Sequence, residues 1–166
     1  MSDTYYTSPT LGKLTPKELV DEIELFMNED KEKEYTLIIG TDSQNFTVHN
    51  KVAMVSAIII HREGVGARYF YKKRIIERKM EFHERIFLEV TESLEISKRL
   101  LKILNEKKLV EKFKELEIHI DAGNRGKTKE ILTALKGMVL GCGFTCKVKP
   151  ESCGASKVAD KYSKCY

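Results

Sequence analysis

Most of the patterns that announce a function are missing from this chain. Its four cysteines, Cys142, Cys146, Cys153 and Cys165, match no paired C-x-x-C spacing, so they read as small reduced thiols and not as a zinc site. His49, His61, His83 and His119 are scattered and form no H-x-x-x-H pair, and His119 reads as a satisfied strand imidazole. The longest apolar runs, such as Ala57–Ile60, are far too short to cross a bilayer, so no membrane partner is expected. The first six residues lack the basic and apolar regions of a signal peptide, which predicts a cytoplasmic location. A net charge of +4 permits nucleic-acid binding without demanding it. There is no internal repeat, low-complexity segment or linker, so the 166 residues predict one domain, with residues 1–30 as an N-terminal extension and helix.

What is present is a soluble α/β pattern, with 42% hydrophobic and 33% charged residues. After an irregular start, Thr15-Pro16-Lys17-Glu18 reads as a helix N-terminus, with Thr15 as cap and Glu18 as capping-box partner. That helix runs to about Asn28, and a first strand covers Tyr35–Asp42. Lys51–His61 and Ala67–Ile76 follow as strands, and the two glycines between them predict a hairpin. A long helix from about Met80 to Glu106 leads to a strand at Leu116–Asp121. A helix from about Lys127 to Leu140 is stopped by Gly141-Cys142-Gly143. Strand Phe144–Lys149 and a final helix from about Ala155 complete the chain. The order βββαβαβα, behind an extra N-terminal helix, predicts a mixed five-stranded sheet with helices on both faces.

Two strands end on acids. Leu37-Ile38-Ile39-Gly40-Thr41-Asp42 is apolar on both faces and delivers Asp42 to the edge where such sheets keep their chemistry. Leu116-Glu117-Ile118-His119-Ile120 does the same for Asp121, and convergent carboxylates suggest a divalent metal. The long helix carries many glutamates, and helical phase separates them. At about 100° per residue, Glu89 falls within the edge of the apolar arc, while Glu84, Glu92 and Glu95 fall outside it. A carboxylate on a buried stripe is costly unless it is paired or binds a metal, so Glu89 is the odd one. The last helix contributes Asp160, between Ala159 and Lys161.

Taken with Gly12-Lys13-Leu14-Thr15, Ser43-Gln44, Arg68-Tyr69-Phe70-Tyr71, Glu89–Glu95, Gly126-Lys127-Thr128 and Ala155–Tyr162, this set resembles the ribonuclease H-like superfamily. It looks most like the bacterial YkuK family within it. The resemblance implies that Asp42, Glu89, Asp121 and Asp160 are both catalytic and metal-binding. In that superfamily such carboxylates hold two Mg²⁺ or Mn²⁺ ions, which serve the attacking water and the leaving 3′ oxygen. It thus implies a metal-dependent nuclease acting on RNA or DNA. Ribonuclease H proper usually follows its first Asp with Gly. Ser43 and Gln44 stand there in this chain, and with Lys127 and Lys157 they are the substrate-facing candidates.

Two other readings compete. Asp121-Ala122-Gly123-Asn124-Arg125-Gly126-Lys127-Thr128 nearly spells a phosphate-binding P-loop, but Asp121 occupies the first glycine position and would repel phosphate. The other is a catalytically idle nucleic-acid-binding module. In that reading Tyr69, Phe70 and Tyr71 beside Lys72, Lys73 and Arg74 form a stacking-and-phosphate surface, against the alternative that these strand aromatics are half core. Separately, Arg68, Lys72, Lys73, Arg74, Arg78 and Lys79, and the C-terminal Lys147, Lys149, Lys157, Lys161 and Lys164, form two basic clusters that read in part as solvated surface and in part as phosphate-tracking.

Overall fold

A computed structural model describes residues 4–46, 49–123 and 128–163. Its strands are β1 (Tyr6–Ser8), β2 (Gly12–Leu14), β3 (Tyr35–Phe46), β4 (Lys51–Arg62), β5 (Gly66–Ile76), β6 (Phe113–Ile120) and β7 (Thr145–Val148). Its helices are α1 (Pro16–Asn28), α2 (Phe82–Glu106), α3 (Lys129–Gly141) and α4 (Cys153–Ser163). All the strands lie in one sheet, ordered β2-β1-β5-β4-β3-β6-β7. The expected antiparallel meander is β3-β4-β5, and β6 and β7 add to it in parallel.

Among the described residues the sheet has seven strands and not five. The segment read as irregular forms the short hairpin β1-β2, which joins the edge of β5 through Thr7 opposite Tyr71. Three-residue strands are too short to show alternation in the sequence; the neighbouring edge selects them.

Local signals hold elsewhere. Thr15 N donates to Glu18 Oε2 at 2.7 Å and Glu18 N donates to Thr15 Oγ1 at 3.3 Å, a complete capping box. Gly64 and Gly66 have φ of +76° and +139°, the conformations the β4–β5 turn requires.

The two sheet faces are covered unequally. The main core lies between the sheet and α1, α2 and α3, and includes Ile23, Leu37, Ile39, Ile58, Leu100, Ile118 and Leu135. On the other face α4 packs alone, with Ala155 against Ala57 and Ile59. Among the described residues no helix is long and apolar enough to cross a membrane.

Candidate functional site

Strand β3 does not run out at Asp42, as its sequence suggested; it continues to Phe46, paired throughout with β4. What ends there is its parallel neighbour. The β3–β6 ladder stops at Gly40 opposite His119, so beyond that pair β3 has a partner on one side only. Asp42 and Asp121 stand at the head of this gap. The pleat sends alternate side chains to opposite faces. Leu37, Ile39, Thr41 and Ser43 are buried on the α2 side, while Ile38 joins the α4 cluster. Asp42 shares the parity of Ile38 and so faces α4. Gly40 shares it too, and a Cβ there would lie 2.6 Å from Ala155 Cβ. Gly40 therefore lets α4 close on the strand, and α4 carries Asp160 one turn beyond Ser156.

Glu89 approaches from the other face. It is 6% exposed, and Ser43 Oγ donates to its Oε1 at 2.5 Å. Arg85, one turn earlier, donates to Ser43 O at 2.9 Å. Below this pair lies a layer of small hydroxyls. Ser93 Oγ donates to Thr41 Oγ1 at 2.9 Å, and Thr41 bonds Ser56 on β4 at 2.9 Å. Helical phase thus placed Glu89 correctly and Glu92 wrongly. Glu92 is 7% exposed, because β5 overhangs α2 and sets Lys72 Nζ 2.9 Å and Arg74 Nη2 3.3 Å from its carboxylate.

Asp42 and Glu89 both lie in the field of neighbouring carboxylates. Burial pushes Asp42 up to about 6, helped by the negative charge of Asp121 and then of Asp160. Ser43 N, donating to Asp42 Oδ1 at 2.9 Å, and the Lys149 ammonium oppose the rise. Burial also pushes Glu89 up to about 8; the Ser43 bond and Arg85 work against it, and Asp42 and Asp121 add to it. Asp160 is exposed and Asp121 half-buried. Lys149 Nζ lies 2.6 Å from Asp121 Oδ1. That bond chiefly raises the Lys149 pKa, with further support from Asp42 and Asp160.

Hard oxygen donors with no Cys or His among them suit Mg²⁺ or Mn²⁺ by donor chemistry. As the side chains stand, however, no group of three or more His, Cys, Asp or Glu closes round a metal position among the described residues. Glu89 turns to Ser43 and Asp121 to Lys149. His119, buried nearby, turns to Glu117 at 2.7 Å.

The substrate-facing candidates separate. The Ser43 hydroxyl is committed to Glu89, while Gln44 is half-buried two residues beyond Asp42 on its face. Lys157 is exposed on α4, one turn before Asp160 and Lys161. Lys127, Gly126, Lys164 and Cys165 lie outside the described residues.

The basic cluster of β5 and its flanks is largely spent inside the protein. Arg68 pairs with Glu22 and Glu29, Lys72 and Arg74 with Glu92, and Arg78 with Glu84. Phe70 is core, and Tyr71 stacks on Tyr162 at 3.7 Å. The lysines at the acid cluster are those of the β7–α4 connection and α4 itself. Sequence reasoning counted Lys149 only as one of a basic group, and gave Arg85 no role. A lysine directly after a strand that neighbours an acid-tipped strand was the available signal for the first.

A family model described as ribonuclease H-like matches residues 18–164. Over 174 aligned positions the chain is 27% identical to a protein of Bacillus subtilis (strain 168) described as "Uncharacterized protein YkuK", covering 99% of this chain and 100% of that one. No solved structure matches.

Proposed function

The chain belongs to the ribonuclease H-like family, and from that premise we propose that it is a divalent-metal-dependent phosphodiesterase acting on RNA or DNA. One observation carries the reading: Glu89 and Asp42, on opposite sheet faces, both have their proton affinity raised, first by burial and then by neighbouring carboxylates, Asp42 and Asp121 for Glu89, Asp121 and Asp160 for Asp42. The metal-free cluster offsets its repulsion with a proton on Glu89 and with the Lys149 ammonium, and a divalent cation would take the place of both.

Asp42, Glu89, Asp121 and Asp160 would hold the ions. When bound, Mg²⁺ or Mn²⁺ supplies Lewis acidity toward a phosphoryl oxygen and a water of lowered pKa. The remaining work belongs to the chain. Ser43 fixes one oxygen of Glu89, and Arg85 fixes Ser43 through its carbonyl. With its pKa near 8, Glu89 keeps a proton at neutral pH until a cation displaces it. Lys157 and Lys161 stand exposed on α4, where a phosphate backbone would pass.

The test is incubation with Mn²⁺ and single-stranded, duplex, hybrid and branched substrates. Cleavage by the wild type should vanish in Asp42→Asn and Asp121→Asn; cleavage that survives both substitutions sinks the assignment. A second reading, binding without hydrolysis, is favoured by the absence of three acids closed round one point among the described residues. It predicts equal nucleic-acid affinity in wild type and Asp42→Asn, with no turnover in either.

A further inference from the structure

Lys149 occupies a place in the chain that its surface exposure conceals. It follows β7 directly, and its amide donates to Ala122 O at 3.2 Å, which ties its backbone to the end of β6 beside Asp121. The chain then turns over Val148 O, accepting from Glu151 N at 2.8 Å and Ser152 N at 3.1 Å, and enters the helix that carries Asp160. Lys149 thus lies on the short β7–α4 connection, beside the end of the strand that leads to Asp121 and just before the helix that carries Asp160. Its side chain is 56% exposed, yet its ammonium is not left to water: it sits 2.6 Å from Asp121 Oδ1. Of the other cations, Arg85 is spent on Ser43 and the β5 pair on Glu92, while Lys157 and Lys161 stand exposed on α4.

We propose that Lys149 is the cluster's built-in cation, and that it and an incoming divalent ion compete for Asp121. This rests on the reading of the four acids as divalent-ion ligands. The chemistry is that of exclusion. An ammonium and a divalent ion carry charge of the same sign, so each raises the cost of placing the other against the same carboxylate. Lysine suits the part because it is a compact charge on a flexible four-carbon stem, able to leave without disturbing the backbone that holds it. In the metal-free protein the ammonium holds Asp121 and offsets repulsion from Asp42 and Asp160; in the loaded protein it swings out to solvent. Lys149 therefore sets the divalent-ion concentration at which the site fills.

The experiment is calorimetric titration of the full chain with Mn²⁺ alone, comparing wild type, Lys149→Met, Lys149→Arg and Asp42→Asn. Removing a half-exposed competing charge should tighten Mn²⁺ binding about fivefold in Lys149→Met. Lys149→Arg keeps the charge and should stay near wild type. In a second readout the ¹H–¹⁵N signal of the Lys149 ammonium should move on addition of Mg²⁺. If wild type binds Mn²⁺ and Asp42→Asn does not, but Lys149→Met binds no more tightly than wild type, the competition is overturned while the divalent-ion reading stands. If wild type and Lys149→Met both fail to bind Mn²⁺, both fall.

Discussion

Glu89 and Glu92 sit three residues apart on α2, and both are buried, yet the fold surrounds them with opposite neighbours. Glu92 lies between Lys72 and Arg74 of β5 and is an internal ion-pair centre. Glu89 accepts from a neutral hydroxyl and lies in the field of two aspartates; among the described residues no ion pair is made to it closer than Arg85's indirect influence. Burial of a carboxylate is therefore not by itself a mark of function. The sign of the charges brought to it separates a strut from a site.

The comparison can be broken by substitution. Glu92→Ala should have the largest effect on stability. It strips two cations of their partner, and because Arg74 reaches water the loss should be about 2 kcal/mol in urea unfolding, below that for a fully enclosed pair. Glu89→Gln should act in the opposite direction. Measured in EDTA at neutral pH, it should gain about 1 kcal/mol, because Glu89 must take up a proton on folding and the amide need not, and it should abolish Mn²⁺ binding. Equal losses at both positions would erase the distinction.

The finest test is pH. Glu89 rises from 4.5 to about 8 on folding and Asp42 from 3.8 to about 6, so the folded protein binds these protons more tightly than the unfolded chain. Their contribution to stability is complete below the ordinary carboxylate values and is lost as pH rises through the folded ones. Metal-free melting temperature should fall through that window. Glu89→Gln should flatten the decline above about pH 6 and leave the Asp42 portion below it. A decline unchanged in Glu89→Gln would mean that its proton is not the one being lost.

Much of this arrangement was legible in the residues. The Thr15-Pro16-Glu18 start, the glycine hairpin and the strand–helix order came directly from local chemistry. Asp42 and Asp121 were visible because each closes an apolar run, and Glu89 because the phase of a helix places it inward. Glu92 was misread for the same reason. Phase describes one helix against one face, and the cover over Glu92 comes from a strand overhanging its side. The hairpin β1-β2 was hidden because three residues carry no period, and the extension of β3 past Asp42 because its pairing there is with β4 alone.

The sequence by itself determined the longer elements, their order and where along them Asp42, Glu89 and Asp121 fall, because hydrophobic periodicity and turn chemistry act over a few residues at a time. Only the tertiary structure decided which charges meet. It brought Asp42 and Glu89 to one stretch of β3 from opposite faces, set Lys149 against Asp121, and spent the β5 cations on Glu92. Electrostatic energy depends on distance through space and on exclusion of water, and neither is encoded in the spacing of residues along the chain.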